Sequence, residues 1–232
     1  MTRSYERALI VGAGEGLSAS LARLFAGQGL AVVLAARNTS KLSALAEETG
    51  ALALACDAAR PEAVAHLFAE LDERGAPPDV VVYNPSARVR GPLVELDPER
   101  VAQALQVTAF GAFLVAQQAV RRMLPRGRGA VVFTGASAGV KGYPQSAPFA
   151  MGKFALRGLA QSMARELHPQ GIHVAHVVID GAIRNPGRSE PEDKPSSMLD
   201  PDAIAQTYWH LLQQHRSAWS WEVEVRPWVE TF

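Results

Sequence analysis

Ala8-Leu9-Ile10-Val11-Gly12-Ala13-Gly14-Glu15-Gly16-Leu17-Ser18 decides how the rest of the chain is read. Four apolar residues without polar alternation read as a strand buried on both faces. The glycines behind them permit a sharp turn and let backbone N–H groups come close to a ligand. From Leu17 the spacing becomes helical, which predicts a helix over 17–28. A diphosphate lying on such a turn rests on the helix N-terminus, where unpaired N–H groups and the helix dipole favour negative charge. A glycine cluster by itself fits an ordinary tight turn equally well. Strand, glycine turn and helix in that order, at the head of an alternating chain, point to a dinucleotide.

The alternation continues outward from this stretch. Apolar runs at 31–36, 51–56, 80–83, 130–133, 172–179 and 221–225 read as further strands. Amphipathic segments at 40–48, 61–74, 98–123, 149–168 and 201–214 read as helices, the third of these starting at Pro98 and the second at Pro61, residues suited to a first helical turn. Strands without alternation, each separated by a helix, imply a parallel sheet covered on both faces. The expected fold class is α/β: a Rossmann-type doubly wound parallel sheet in a single domain over 1–232. The stretch 184–200, rich in Pro, Ser and charge, follows the sixth strand. It emerges at the carboxyl edge of the sheet, where ligands sit, and reads as a substrate-side loop or lid rather than a plain surface excursion.

Composition excludes several classes of function. Across 232 residues, 23 Lys+Arg are balanced by 23 Asp+Glu, so the chain lacks the basic surplus of a nucleic-acid or anionic-membrane binder. A single cysteine, Cys56, rules out an internal disulfide and fits a reducing compartment. The longest apolar stretches fall far short of the roughly 20 residues that span a bilayer, and 1–7 holds no apolar leader. A cytoplasmic protein acting on a small molecule, with no nucleic-acid or membrane partner, is the expectation.

The end of the second strand chooses between cofactors. An acidic residue there would hold the ribose hydroxyls of NAD. This chain has Arg37 and Asn38, with Lys41 close behind. Arg37 can pair with a ribose 2′-phosphate, so NADP is preferred and NAD stays possible. Glu15, inside the glycine turn, works mildly against the extra phosphate.

With these residues in place, the sequence resembles the short-chain dehydrogenase/reductase family over nearly its whole length. Gly12 and Gly16 match the family's first glycine motif, while Val11 and Ser18 replace its Thr and last Gly; Gly14, Glu15 and Leu17 complete the turn. Asp57 stands where the family contacts adenine. Asn84, Pro85 and Ser86 occupy its Asn-Ala-Gly segment after the fourth strand, keeping one asparagine. Asp180-Gly181-Ala182-Ile183 resembles the turn that meets the nicotinamide, with Gly181 supplying backbone and Ile183 the carboxamide contact. The resemblance further implies homodimers or homotetramers formed through the last strand and the two long helices.

The family's catalytic positions have changed. Its Tyr-x-x-x-Lys motif becomes Phe149-Ala150-Met151-Gly152-Lys153, its serine falls on Ala136, and its helix asparagine on Thr108. Lys153 alone is retained. In the family, Tyr handles the proton at the substrate oxygen while Lys lowers its pKa and binds the nicotinamide ribose. A positioned acid contributes roughly 10²–10⁴ in rate and an oxyanion donor roughly 10²–10³, so the usual carbonyl–alcohol reaction should be several decades slower here. Ser137, Tyr143 and Ser146 are the hydroxyls that could substitute. The preferred reading makes Ser137 a turn residue and Tyr143 a pocket or interface aromatic, and direct proton donation by Lys153 is disfavoured.

Three other features complete the reading. His173 and His176 lie three apart on a strand and face opposite ways, so no metal site is expected. Arg121, Arg122, Arg126 and Arg128 cluster at a helix end, where cations complement the dipole. Three of the four tryptophans lie in 219–232, an apolar surplus that reads as a subunit interface in preference to packing on its own chain. The leading function is an NADP-binding oxidoreductase for a small carbonyl or alcohol. The alternatives are a nucleotide-binding pseudoenzyme serving as sensor or assembly partner, and a protein that moves protons without net hydride exchange.

Overall fold

A computed structural model describes residues 5–230. In chain order it comprises β1 (Arg7–Val11), α1 (Leu17–Gly27), β2 (Ala31–Ala36), α2 (Ser43–Thr49), β3 (Leu52–Ala55), α3 (Pro61–Glu73) and β4 (Val80–Tyr83). Then follow α4 (Pro98–Leu105), α5 (Gly111–Met123), β5 (Gly129–Thr134), α6 (Ala147–Leu167), β6 (Ile172–Ile179), α7 (Pro201–Gln213) and β7 (Glu222–Val225). All seven strands form one parallel sheet in the order β3-β2-β1-β4-β5-β6-β7. The order reverses between β1 and β4, and a crevice opens there at the carboxyl ends of the strands. This is the doubly wound Rossmann-type fold expected from the alternation of apolar runs.

Each strand divides its side chains between two cores. Ala8 and Ile10 of β1 pack with Phe25 of α1 and Tyr208 of α7, whereas Leu9 and Val11 pack with Phe68 of α3, Met123 of α5 and Leu156 of α6. Burial on both faces explains why no polar alternation is seen in the strands, each fully buried large side chain contributing about 1.5–3 kcal/mol.

One expected helix is divided. The segment 98–123 contains a π-turn at Gln106–Phe110 between α4 and α5. Here the Tyr83 hydroxyl donates to the Val107 carbonyl, and the Thr108 hydroxyl accepts from the Ala87 amide at 3.1 Å. Both bonds serve β4 and the loop after it, so the wide turn trades helical regularity for tertiary ties.

The arginine cluster also does more than complement a dipole. Arg126 reaches Asp79, wholly buried before β4, at 2.8 Å; Arg128 stands 3.4 Å from the same carboxylate, and Arg122 pairs with Asp72. Asp79 further accepts from the Glu6 amide at 2.9 Å. The histidines have separate partners: His173 stacks on Trp219 at 4.7 Å between centroids, and His176 Nδ1 lies 3.0 Å from Glu222.

Among the tail tryptophans, Trp219 stacks on its own chain and Trp221 packs on the core beside Arg157. Both remain half-buried, part of each ring being covered by its own chain. Trp228 stays 84% exposed, and Thr231 and Phe232 lie outside the described residues. No helix among the described residues is long and apolar enough to cross a membrane.

Candidate functional site

The glycine turn is built under two constraints. Gly12 has φ +79°, and a Cβ there would stand 2.7 Å from the ring of Pro85. Its amide and that of Ala13 both donate to the Ala35 carbonyl, at 2.9 and 3.1 Å, which binds the turn to β2. Gly14 faces open space. Gly16 caps α1 without any side-chain bond, and the first turn of α1 holds no acidic residue. The helix therefore starts with unsatisfied amides and an uncompensated dipole, the local chemistry that accepts phosphate. Glu15 is exposed on the turn, whereas Leu17 turns its side chain into the core.

Beside this turn lies a cleft of about 440 Å³. Gly12, Arg37, Asn38, Asp57, Asn84, Pro85 and Ser86 line it together with Lys41, so four strand ends bring half of the sequence-derived cofactor set to one place. Neither Arg37 nor Lys41 is in an ion pair among the described residues. The Asn84 amide donates to Ser18 Oγ at 2.7 Å, and that hydroxyl donates to the Gly12 carbonyl at 3.1 Å. Ser18, standing where the motif has its last glycine, thus braces the turn against β4. Asn38 caps its own loop through Ser40, and Asp57 accepts from Ala59 at 3.1 Å. Burial and the neighbouring Asp57 push the Cys56 thiol up to about 11, so it stays protonated.

The remaining predicted residues sit outside this cleft. Lys153 is buried on α6 and donates to the Thr134 carbonyl at 2.7 Å. Burial, reinforced by Arg88, lowers its pKa to about 7. Phe149, one helical turn earlier, is buried as well; the Arg88 guanidinium lies 4.3 Å from its ring centre and Lys153 Nζ 5.9 Å. Ala136 is half-buried in extended backbone at the end of β5. Thr108 is buried, its hydroxyl engaged with Ala87. Gly181 has φ +148° and is crowded by Pro227 and Leu199, while Ile183 bridges to Leu199 at the base of the 184–200 loop.

A set of hydroxyls lies next to Ala136. The Tyr143 hydroxyl donates to Ser137 Oγ at 2.9 Å, and Lys141 stands 5.7 Å from the Tyr143 ring and 3.6 Å from Asp180. Contacts with Tyr143 and Asp180 raise the Lys141 pKa. Ser137 also begins a turn whose backbone it closes through Val140 and Lys141, the role expected from the sequence. Ser146 is buried at the start of α6 and makes no capping bond.

Two residues at the site were missed by sequence reasoning. Arg88 belongs to the segment Asn84 to Arg90, whose Arg-Val-Arg ending was a visible signal. Asn185 lies over the glycine turn, its Cβ 3.8 Å from where a Gly16 side chain would begin. The start of the loop 184–200 is therefore beside the turn, and its base is pinned by Arg184 pairing with Asp200 and by Leu199 bonding Ala182 and Arg184.

Comparisons with known proteins agree with this architecture. A family model described as short chain dehydrogenase matches residues 6–192. The 3-oxoacyl-[acyl-carrier-protein] reductase MabA of Mycobacterium avium is 29% identical over 175 residues, a match covering 75% of this chain and 66% of the reductase. The 3beta-hydroxysteroid dehydrogenase of Mediterraneibacter gnavus is 31% identical over 170 residues, covering 71% of this chain and 61% of that enzyme. Among solved structures, a short-chain dehydrogenase from Rhodopseudomonas palustris superposes with a TM-score of 0.83 at 35% identity, covering 96% of this chain and 99% of that one. A metagenomic short-chain oxidoreductase in complex with NADP superposes with a TM-score of 0.85 at 27% identity, covering 97% and 98%.

Proposed function

Because the chain belongs to the short-chain dehydrogenase family, we propose that it is an NADP-binding oxidoreductase acting on a small carbonyl or alcohol through an altered catalytic set. The observation that carries this reading is the convergence of Arg37 and Lys41, both without a carboxylate partner, on the cleft headed by Gly12. The turn and the open start of α1 would hold the pyrophosphate, and Arg37 with Lys41 the 2′-phosphate. Asp57 would face the adenine. When bound, NADPH would supply a hydride to a carbonyl, and NADP would accept one from an alcohol. The solved relative in complex with NADP supports this choice over NAD.

The residues then divide the remaining work. Phe149 excludes water from the carbonyl but brings no proton. Lys153 is held near the site by its bond to the Thr134 carbonyl. Tyr143, bonded to Ser137 and next to Lys141, would be the proton donor in this reading, in place of the pocket or interface role preferred from sequence. A second reading, a nucleotide-binding pseudoenzyme, draws on Phe149 and Ala136 and on the Arg88 side chain lying across the Phe149 ring.

Fluorescence titration with NADPH and NADH separates the possibilities. The expected result is NADPH binding at least about tenfold tighter than NADH, with the difference lost in Arg37→Ala. Equal affinities would remove the NADP assignment, and no binding of either would remove both readings. Turnover of a carbonyl panel by wild type, lost in Tyr143→Phe, supports the enzyme. Turnover seen only after Phe149→Tyr with Ala136→Ser supports the pseudoenzyme.

The exposed apolar face made by Phe110, Phe113, Met151 and Phe154 supports a homodimer or homotetramer. Sedimentation as a monomer at micromolar concentration would overturn that assembly. The buried thiol and balanced charge support a cytoplasmic location.

A further inference from the structure

Arg88 has no place in the family's catalytic arrangement, yet the fold holds it at the altered site. Its loop is tied at Ala87 to the buried Thr108 hydroxyl, and at Gly91 to the Gln145 carbonyl at 3.2 Å. Gln145 adopts φ +56°, an unusual conformation for a side-chain-bearing residue, in making this link. Between the two ties, the Arg88 guanidinium carbon lies over the Phe149 ring, 4.3 Å from its centre. The cation–π contact holds the guanidinium beside the ring, and the residue stays exposed to solvent with no partner for its N–H groups among the described residues.

The charges around it are all of one sign. Lys153 addresses the same ring, and Arg90 and Arg188 are close enough to act on Arg88 electrostatically. None of Arg88, Arg90 and Arg188 is in an ion pair or a side-chain hydrogen bond among the described residues. Arg122, Arg126, Arg157 and Arg184 each meet a carboxylate, whereas Arg88, Arg90 and Arg188 are unpaired among the described residues, the latter two close enough to act on the first. Like charges gathered without a counter-ion are a cost to the free protein, and a bound anion relieves it.

We infer that the substrate carries an oxyanion, a carboxylate or a phosphate, which Arg88 grips against Phe149 with Arg90 and Arg188 around it. Arg88 is a positioning residue in this scheme: it orients the substrate and leaves proton delivery elsewhere. The inference rests on the oxidoreductase reading only for the word substrate, because the anion site itself consists of residues outside the Arg37 cleft. It gives the replacement of Tyr by Phe a use, since a phenyl face accepts a stacked guanidinium without competing for its N–H groups.

Thermal melting with matched probes tests this, with and without NADPH. The probes are acetoacetate against ethyl acetoacetate, and dihydroxyacetone phosphate against hydroxyacetone. The expected result is a concentration-dependent rise in melting temperature with one or both anions and none with the neutral partner. The effective anion identifies carboxylate or phosphate. Arg88→Met should weaken that anion at least about tenfold and Arg88→Lys less, whereas Arg165→Met, at the exposed far end of α6, should leave it unchanged. The inference is overturned if neither anion stabilises wild type, if acid and ester act alike, or if the effect survives Arg88→Met. Loss in Arg37→Met alone would place the anion in the cofactor cleft and overturn it too. Anion binding without NADPH binding would sink the oxidoreductase reading and keep the site, while NADPH binding without an Arg88-dependent anion would do the reverse.

Discussion

At Gly12, conformation and space make the same demand. The left-handed backbone alone costs a side-chain-bearing residue about 1–2 kcal/mol, and a Cβ would also collide with Pro85. Gly12→Ala should therefore lower stability by about 2 kcal/mol or more in urea unfolding and weaken NADPH binding in the same preparation. Gly14→Ala meets open space and no positive φ, so its unfolding free energy should stay within about 0.5 kcal/mol of wild type. A similar loss at both positions would contradict this account of the turn. Both glycines were visible in the sequence, as was Arg37, because a phosphate-binding turn is a local pattern. Arg88 was not, although its letters were equally plain. Its meaning comes from Phe149 on a distant helix and from a loop held by Thr108 and Gln145, contacts that no spacing rule encodes.

Among the elements, continuous apolar runs placed all seven strands to within a residue or two, since burial on both faces writes itself into composition. The break between α4 and α5 escaped the same reasoning. Helical periodicity runs on through Gln106–Phe110, and the cause of the π-turn lies in Tyr83 and Ala87, outside the helix. Asp79 escaped for a related reason: a lone acid before a strand looks like loop, yet it joins the start of β4 to Arg126, Arg128 and the amide of Glu6. Asp79→Ala strands two cations at a partly buried junction and should cost about 3 kcal/mol. Chemical denaturation would read this, and a change under 1 kcal/mol would show that the network contributes little.

For the whole molecule, two buried histidines set a pH limit. Burial lowers both His173 and His176 from 6.5 to about 4, despite the hydrogen bonds to Ser220 and Glu222. The folded state thus binds fewer protons than the unfolded chain between these values. Stability contributed by the neutral imidazoles is complete above pH 6.5 and falls as the pH drops toward 4, at up to about 1.4 kcal/mol per pH unit for each histidine. Melting temperatures measured between pH 7 and 5 should decline, and His176→Gln should flatten the decline. A flat profile in wild type would contradict the burial of these rings as neutral groups. The sequence allowed core or edge histidines here, but strand alternation gives the direction of each side chain and not the depth of its cover.

The stretch between Arg184 and Asp200 leaves the fold and returns to it at nearly the same point, through the Ile183–Leu199 bridge and the ion pair at its neck. Such a stitched neck insulates the sheet from whatever hangs beyond it. Residues 186–197 can accordingly be exchanged, lengthened or nicked by a protease while strand register is kept, which makes this appendage an interchangeable cassette through which molecular appetite can drift over evolutionary time without risk to the scaffold.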